Sequence, residues 1–269
     1  MADPASAPRV AIELEAQVAV VTLTRPDKHN ALDLTMLDAI VAAAAQLRSE
    51  PRVRAVVLHG AGPSFCSGLD FPAVVAAGGL EAFTGILAEP PPNRFQRAAY
   101  DWLALPVPVI AAIHGHCLGG GLQIALAADI RIATADASLS VMEGRWGLIP
   151  DMSITRTLPR LVGIDVAKEL TFTARTVSGE EAHRLGLVTR LADDPLAAAL
   201  ASAHAIAQRS PDAVRAAKRL LDSGWSGSAS DTLALEAALQ GRLIGTPNQL
   251  AAMTAALAGQ TPEFSDPPS

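Results

Sequence analysis

The sequence predicts an α/β fold with a mainly parallel sheet, followed by a helical C-terminal region. As far as residue 145, short apolar segments with the character of buried strands alternate with helical patterns. After Arg156 helix follows helix, with Gly, Pro and Ser between them. We therefore expect residues 10–205 to form the core and residues 206–269 to form a helical appendage.

The first elements are predicted from apolar spacing and from capping residues. Residues 1–9 are small and contain proline, and we expect them to be disordered. Alternating apolar positions over residues 10–23 indicate a pair of strands. Asp33 is suited to cap the N-terminus of an amphipathic helix that runs through Arg48. The segment "RAVVLHG" then has the composition of a short buried strand.

The later elements alternate in the same way. Residues 71–95 mix small residues, glycines and "EPPPN", so we expect an irregular or mobile segment there. A helix is predicted from about Arg94 to Leu105, and "VPVIAAIHG" is the next buried strand. "DIRIAT" and "SLSVME" are predicted as two further strands. In the C-terminal region "RSPDAV" indicates a helix start.

Composition and charge exclude several functions. The 269 residues carry a net charge of −6, and no block of Lys and Arg marks a nucleic-acid site. Two cysteines, Cys66 and Cys117, cannot form a disulfide framework and are expected to be buried thiols of a reducing compartment. No apolar run approaches the ~18–20 residues that span a bilayer, and the first nine residues lack the apolar part of a secretory signal. We expect a soluble cytoplasmic protein.

Three consecutive glycines, Gly119–Gly121, precede an apolar helix-forming segment whose first polar side chain is Gln123. A helix N-terminus presents unpaired N–H groups, and without a Cβ an anion or a developing oxyanion can approach them closely. The spacing matches neither a dinucleotide-binding GxGxxG nor a P-loop. Two interpretations remain: close packing of helix on strand, or an oxyanion hole. The glycine-bearing loop "PSFCSGLD" is the candidate for a second donor.

Four segments in this order, "RPDKHNAL", "SFCSGLD", "HGHCLGGGLQIALAADIRIA" and "EGRWGLIPD", resemble the crotonase (enoyl-CoA hydratase/isomerase) superfamily. The resemblance covers about residues 10–200 and implies a spiral of ββα units. It further implies that residues 206–269 form a trimerisation and lid region, in a homotrimer or a hexamer of two trimers. The implied substrate is an acyl-CoA thioester, with coenzyme A as part of the substrate and no separate cofactor.

The resemblance also assigns the groups that would act on the thioester. Its oxygen would lie between the backbone N–H groups of Leu69 and Gly120, where an enolate is stabilised as it forms. A hydratase of this superfamily uses two glutamates, and the positions correspond to Gln123 and Glu143. An amide can orient water but cannot carry a proton to or from carbon. Isomerisation needs only one carboxylate, so we expect Glu143 to act as the acid/base of a double-bond isomerase.

Two further positions have alternative interpretations. Asp151 lies eight residues after Glu143, a spacing similar to that of the dienoyl-CoA isomerase branch, which uses an aspartate there as a proton carrier. It is equally suited to cap the helix that follows. Gln123 would position water or substrate, or it is an ordinary helix residue facing polar neighbours. Trp146 is expected in the pocket wall or in the core.

Local cations must attract the phosphates of CoA because the chain is acidic overall. The resemblance places Arg25 and Lys28 in the loop that borders the nucleotide end of CoA; two solvated loop cations are the alternative. Ser67, Gly68 and Asp70 are the other predicted CoA-binding residues. The acyl tail is expected against the 71–95 segment and the helix after it.

Other activities stay open at this point. His114 and His116 lack a third ligand at suitable spacing, so no metal site is predicted. Hydration of a 2-enoyl-CoA, as in fatty-acid β-oxidation, is one alternative function. A non-catalytic acyl-CoA-binding protein that retains the oxyanion hole is another, and a hydrolase or decarboxylase would fit the same scaffold.

Overall fold

The computed structural model describes residues 8–225 and 227–266, so most of the predicted disordered segment, residues 1–7, lies outside it. The described strands are β1 Val10–Glu15, β2 Val18–Leu23, β3 Ala55–Gly60, β4 Val109–Ile113, β5 His116–Leu118, β6 Ile130–Ala133, β7 Ser138–Ser140, β8 Val177–Ser178 and β9 Arg190–Leu191. The described helices of the first half are α1 Leu34–Arg48, α2 Phe71–Ala76, α3 Gly79–Leu87, α4 Arg94–Leu103 and α5 Gly120–Leu126. Those of the second half are α6 Leu158–Val162, α7 Ile164–Thr173, α8 Gly179–Leu185, α9 Pro195–Ala207, α10 Pro211–Gly224, α11 Ala229–Leu243 and α12 Pro247–Ala258.

Two sheets organise these elements. The larger has the order β1-β2-β3-β4-β6-β9, and only its first pair, the predicted strand pair β1–β2, is antiparallel. The smaller sheet joins β5, β7 and β8. The predicted α/β class with mainly parallel pairing is confirmed.

Helices cover both faces of the larger sheet because its strands are apolar on both sides. Successive side chains point to opposite faces, so Val56 and Leu58 of β3 join the core beneath α1 and α4, whereas Val57 joins the cluster beneath α9. Alanines of α9, including Ala199 and Ala203, let that helix lie close to the strands. Burial on both faces is typical of parallel sheets.

Helix α1 forms as its sequence predicts. The Asp33 carboxylate accepts a hydrogen bond from the Met36 N–H at 2.7 Å, which satisfies one of the unpaired donors of the first turn. The helix ends at Arg48, and its apolar side chains, including Leu37 and Ile40, are fully buried. A capping box between Asn93 and Gln96 starts α4 in the same manner.

The prediction of an irregular segment over residues 71–95 is wrong for residues 71–87, which form two short helices, whereas "EPPPN" lies in the non-helical connection between α3 and α4. Asp70 caps α2 by accepting from the Ala73 N–H at 3.1 Å, and Pro72 lies in the first turn, where a missing N–H costs nothing. Gly78, at φ 117°, turns the chain into α3. Gly78 and Pro72 therefore mark the boundaries of two short helices.

The predicted strand "SLSVME" is also shorter than expected. Strand β7 ends at Ser140 because its partner β5 offers only three residues for pairing. Glu143 instead begins a 3-10 turn, Glu143–Trp146, that ends at Gly147 with φ 68°. This turn, rather than a strand, presents the Glu143 side chain.

The C-terminal helices are fastened to the core by ion pairs. Ser210 caps α10, as the "RSPDAV" segment predicts. Lys218 of α10 lies 2.7 Å from Asp129, and Arg54, the residue before β3, lies 2.7 Å from Asp266. Within the described residues, every helix is too short or too polar to cross a bilayer.

Candidate active site

A cavity of about 300 Å³ lies at the start of α5. Segments 67–71 and 142–152 form two of its walls, and α3 and α4 contribute to the remainder. Seven of the ten predicted site residues line it: Ser67, Gly68, Leu69, Gly120, Gln123, Glu143 and Asp151. The other three, Arg25, Lys28 and Asp70, do not. The fold thus gathers the predicted reactive groups in one place.

The three glycines before α5 meet different structural demands. Gly119 has φ 51°, in the region that favours glycine. A Cβ on Gly121 would lie 2.5 Å from the Cys66 carbonyl oxygen, so α5 packs directly against that loop. A Cβ on Gly120 would lie 2.8 Å from Met152 Sδ. Close packing therefore accounts for part of the glycine run.

The N–H groups of Leu69 and Gly120 donate no hydrogen bond to any described residue. Gly120 is the first residue of α5, where a helix has no internal acceptor for the N–H. The segment that carries Leu69 is held by Leu32 through backbone hydrogen bonds on both sides of Leu69. The Leu32 N–H donates to the Gly68 carbonyl at 2.8 Å, and the Leu32 carbonyl accepts from the Asp70 N–H at 3.0 Å. A Cβ on Gly68 would lie 3.7 Å from the Gly120 nitrogen, so the two segments are in contact.

Gln123 joins Glu143 to the backbone of Met152. Its Oε1 accepts from the Met152 N–H at 2.8 Å, and its Nε2 donates to Glu143 Oε1 at 2.7 Å. The side chain is 1% exposed. Because a carbonyl oxygen cannot donate, the Met152 N–H determines the orientation of the amide. Glu143 Oε2 is left buried, without a hydrogen-bond partner among the described residues.

Both carboxyl groups in the cavity have pKa values above their ordinary values. Burial raises the pKa of Glu143, and the nearby charge of Asp151 adds to this, whereas its own backbone and the Gln123 hydrogen bond oppose it. Burial likewise raises the pKa of Asp151. Two carboxyl groups with raised pKa values in one cavity are typical of proton-transfer sites.

Asp151 does not serve as a helix cap. The 3-10 turn Ile154–Arg156 that follows is preceded by Ser153, and no side-chain hydrogen bond caps it. The Asp151 carboxylate makes no hydrogen bond to another described residue. The capping alternative is therefore wrong, and the Asp151 side chain is available to the cavity.

Arg25 and Asp70 are engaged with each other. Arg25 Nη1 lies 2.7 Å from Asp70 Oδ2 and donates to the Ala31 carbonyl at 3.0 Å, while Nη2 lies 3.7 Å from Asp33. Burial acts to raise the pKa of Asp70, but the hydrogen bond from the Ala73 N–H and the nearby cations Arg25 and Lys28 together lower it below its ordinary value. Lys28 itself is exposed. The alternative of two solvated loop cations therefore fits Lys28 but not Arg25, which is partly buried.

The apolar walls of the cavity were only partly predicted. Trp146 is in the wall, as one of its two interpretations states. Phe71, Phe83 and Phe95 line the cavity from the 71–95 segment and α4. Sequence reasoning missed Met152, whose N–H orients Gln123, because no local pattern distinguishes it. It also missed the three phenylalanines, to which the scarcity of aromatic residues elsewhere in the chain could have drawn attention.

The histidines and cysteines form no further centre. Among the described residues no group of three or more His, Cys, Asp or Glu is placed to hold a metal ion. Cys66 and Cys117 are both free and buried, as predicted, and burial raises the pKa of Cys66 to about 12. Thiols held protonated in this way are poor nucleophiles.

Comparisons with known proteins identify the family and the fold of this chain. Residues 13–267 match the enoyl-CoA hydratase/isomerase family. Human enoyl-CoA hydratase domain-containing protein 2, mitochondrial, is 35% identical, over 91% of this chain and 84% of that protein. The short-chain-enoyl-CoA hydratase of Clostridium acetobutylicum is also 35% identical, over 91% of this chain and 93% of that protein. The crystal structure of enoyl-CoA hydratase from Bacillus anthracis has a TM-score of 0.89 at 32% identity, covering 95% of this chain and 98% of that one. This chain therefore belongs to the enoyl-CoA hydratase/isomerase family and has the crotonase fold.

Proposed function

We propose that the protein moves the double bond of an enoyl-CoA through a thioester enolate, with Glu143 as the acid/base. The observation that carries this proposal is the hydrogen bond from Gln123 Nε2 to Glu143 Oε1. The position that corresponds to a hydratase's first glutamate is an amide, and the Met152 N–H keeps it from turning. Glu143 Oε2 is then the free proton acceptor of the pair.

The thioester oxygen is proposed to bind between the N–H groups of Leu69 and Gly120. Both donors are unpaired within the described part of the chain, and both line the cavity that holds Glu143. Donors preorganised around a developing oxyanion stabilise it without reorganisation, and loss of one such donor costs ~2.7–4 kcal/mol of barrier. This stabilisation makes the proton on C2 removable by a carboxylate.

The proposed reaction conserves every atom of the substrate. The ionised Glu143 takes a proton from C2 of a 3-enoyl-CoA, and the electron pair moves onto the thioester oxygen to give a dienolate. The protonated Glu143 then returns the proton to C4, and the double bond now joins C2 and C3. Asp151 lines the same cavity with a raised pKa, which makes it the second group able to deliver a proton at C4.

Coenzyme A is proposed to enter as part of the substrate beside the loop that carries Leu69. Ser67 and Gly68 line the cavity at this loop, and the exposed ammonium group of Lys28 is free to meet a phosphate. The ion pair between Arg25 and Asp70 is proposed to hold the loop in place rather than to contact CoA directly. Recruitment by Lys28 would weaken as salt concentration rises.

The protein is proposed to assemble as a homotrimer or as a hexamer of trimers in the cytoplasm. Large apolar side chains on α11, α12 and the turn between them are exposed, among them Leu233, Ile244 and Leu257. Apolar surface of this kind is typical of subunit contacts. Light scattering coupled to size-exclusion chromatography tests the assembly directly.

Hydration of a 2-enoyl-CoA is the second candidate function, because relatives named enoyl-CoA hydratases match most of the chain. Glu143 would then have to activate water and protonate C2 without a second glutamate. Loss of one acid/base group commonly lowers a rate by ~10²–10⁴-fold. We therefore expect hydration, if present, to be much slower than isomerisation.

One assay separates these functions. The protein is mixed with a 3-enoyl-CoA and, separately, with a 2-enoyl-CoA, and the products are followed by mass and by the absorbance of the conjugated thioester. An unchanged mass with a moved double bond, lost in Glu143→Gln, supports isomerisation. Gain of one water supports hydration. Tight binding without product identifies a binding protein, and release of free CoA or CO₂ identifies a hydrolase or a decarboxylase; each of these results contradicts the proposal.

A further inference from the structure

The aromatic residues of this chain are concentrated at the candidate active site. The whole chain contains six Phe, three Trp and one Tyr, and aromatic residues make up 4% of it. Four of these ten side chains, Phe71, Phe83, Phe95 and Trp146, line the candidate active-site cavity of about 300 Å³. This uneven distribution indicates that the aromatic side chains serve the cavity rather than the packing of the core as a whole.

The four rings form two contacting pairs. The ring centroids of Phe71 and Trp146 are 4.7 Å apart at a tilt of 42°, and those of Phe83 and Phe95 are 4.8 Å apart at 35°. These separations are within the range at which aromatic rings attract one another. Each pair therefore holds its rings in a defined position and leaves ring edges and faces for an occupant of the cavity.

The first pair is built on the segments that carry the chemistry. Phe71 follows the proposed oxyanion donor Leu69 by two residues, and Trp146 belongs to the 3-10 turn that begins with Glu143. The second pair is attached to the core instead, because Phe95 is buried and Phe83 packs against the same cluster. An acyl group bound at Leu69 and Glu143 thus occupies a cavity that both aromatic pairs line.

The charges of the cavity restrict the occupant further. Among the described residues that line it, the charged side chains are Glu143 and Asp151, and no Lys, Arg or His is present. A carboxylate on the acyl group would be a third acidic group without a cation, in a site that removes it from water. The cavity therefore disfavours dicarboxylic acyl groups.

The mouth of the cavity is apolar as well. Trp146 is 59% exposed and Ile149 is 77% exposed, beside the half-exposed Leu87. Exposed apolar side chains around a cavity are typical of a binding site whose occupant covers them. A bulky, flat apolar group would cover this rim, whereas a short straight chain would leave it in water.

We infer that the acyl group taken by this site is uncharged and carries an aromatic ring. The inference rests on the proposed enoyl-CoA function and adds to it the chemical class of the acyl group. The ring of the substrate extends the two aromatic pairs, and the rest of the acyl chain spans the distance to the thioester.

Binding of unreactive, saturated acyl-CoAs measures this preference without depending on turnover. Calorimetric titration compares 5-phenylpentanoyl-CoA with 5-cyclohexylpentanoyl-CoA, which has nearly the same shape and a more apolar ring. We expect the phenyl compound to bind about two- to tenfold tighter, the range that aromatic contacts supply beyond burial. Hexanoyl-CoA is compared with its ω-carboxylate, adipyl-CoA, which we expect to bind more than about tenfold more weakly.

Variants identify the walls responsible. Phe83→Leu and Trp146→Leu are expected to reduce the preference for phenyl over cyclohexyl, whereas Phe172→Leu and Trp225→Leu are matched controls. Both control side chains are exposed, and neither lines the cavity. Circular dichroism of each variant checks that the fold is retained, so that loss of preference is read only from folded protein.

The results that overturn the inference are distinct from those that overturn the proposed function. Equal or tighter binding of the cyclohexyl compound overturns the aromatic class, and binding of adipyl-CoA as tight as that of hexanoyl-CoA overturns the exclusion of charge. An unchanged phenyl preference in both Phe83→Leu and Trp146→Leu overturns the assignment of the walls. Turnover of hex-3-enoyl-CoA, measured in parallel, shows whether the isomerase proposal stands in each of these cases.

Discussion

At the scale of single residues, the Gln123 amide decides what Glu143 is able to do. Its carbonyl is occupied by the Met152 N–H, so its NH₂ group must face Glu143. The hydrogen bond favours the ionised form of Glu143 and partly opposes the effect of burial on its pKa. One oxygen of Glu143 is held, and the other is left for the substrate.

Replacement of Gln123 by glutamate is expected to introduce hydration. The new carboxyl group can still accept from the Met152 N–H, and it would face Glu143 across a contact now 2.7 Å long. Two carboxyl groups this close share one proton, which supplies the acid/base pair that a hydratase needs. We expect hydration of a 2-enoyl-CoA to increase by about tenfold or more in Gln123→Glu. Gln123→Met, of similar volume but without an acid, is the control, and an equal gain there would contradict the explanation.

Replacement of Glu143 by glutamine is expected to abolish turnover and to stabilise the protein at neutral pH. Burial raises the pKa of Glu143 in the folded state, so its stabilising contribution is present below its unfolded pKa and is lost as pH rises through its folded pKa. The neutral amide avoids burying a charge that has no cation beside it, which we expect to be worth about 1 kcal/mol. Thermal unfolding from pH 4 to pH 8 checks this, since the advantage of the variant should grow with pH.

The activity of the unmutated protein should depend on the ionised form of Glu143, and should therefore rise with pH where the stabilising contribution of Glu143 falls. Glu143 must be ionised to accept a proton, so kcat/KM should fall as pH decreases through the raised pKa of Glu143. An acid limb at the ordinary pKa of an exposed glutamate would contradict the assignment of Glu143 as the base.

At the scale of elements, the start of α5 connects packing to chemistry. Gly119 provides the positive φ, Gly121 lets the helix touch the Cys66 loop, and Gly120 offers an unpaired N–H between them. The position of that N–H depends on how closely the helix approaches the loop. A change in packing at Gly121 should therefore act on the proposed oxyanion site.

Gly121→Ala is expected to destabilise the protein by about 1–3 kcal/mol and to lower kcat. The added Cβ would lie 2.5 Å from the Cys66 carbonyl oxygen and 2.7 Å from Cys66 Cβ, so α5 must move. Gly241→Ala in α11 is the matched control, because nothing lies within 4 Å of the added atom. There we expect a gain of about 0.5–1 kcal/mol, because alanine loses less backbone entropy in a helix. Denaturant unfolding of the two variants measures the change in stability, and their initial rates measure the change in kcat. Equal effects in the two variants would contradict the prediction.

At the scale of the whole molecule, parallel strand order brings distant loops to one edge of the structure. The loop after β3 carries Leu69, and the helix after β5 carries Gly120. The C-terminal helices are then held to this core by a few specific contacts. Lys218 of α10 donates to the Val107 carbonyl and to Asp129, which also accepts from the Val109 N–H.

Lys218→Met is expected to destabilise the protein by about 2–3 kcal/mol. It keeps the apolar stem but leaves the Asp129 carboxylate without its cation, and breaking a buried ion pair costs ~3–5 kcal/mol. We take the smaller figure because the Asp129 side chain is 24% exposed. Lys168→Met on an exposed face of α7 should change stability by less than about 0.5 kcal/mol. If the two variants unfold at the same denaturant concentration, the ion pair does not fasten α10.

By itself the sequence determined those features whose causes lie within a few residues. The hairpin follows from alternating apolar residues, α1 follows from the Asp33 cap, and the helix after Ser210 follows from its own cap. The set of reactive residues was predicted through family motifs, which are also short. The prediction for residues 71–87 is wrong because Gly78 lies at a helix boundary, and only the burial of Val74 and Ile86 distinguishes such a boundary from an irregular chain.

Only the tertiary structure decided how those residues act on one another. Gln123 meets Glu143 and Met152, which are 20 and 29 residues away along the chain, and no local pattern encodes which amide atom faces which partner. The pairing of aromatic rings from α2, α3, α4 and the Glu143 turn is decided in the same way. Hydrogen bonds and ring contacts act over a few ångströms of space, so their partners are set by the packing of whole elements rather than by order along the chain.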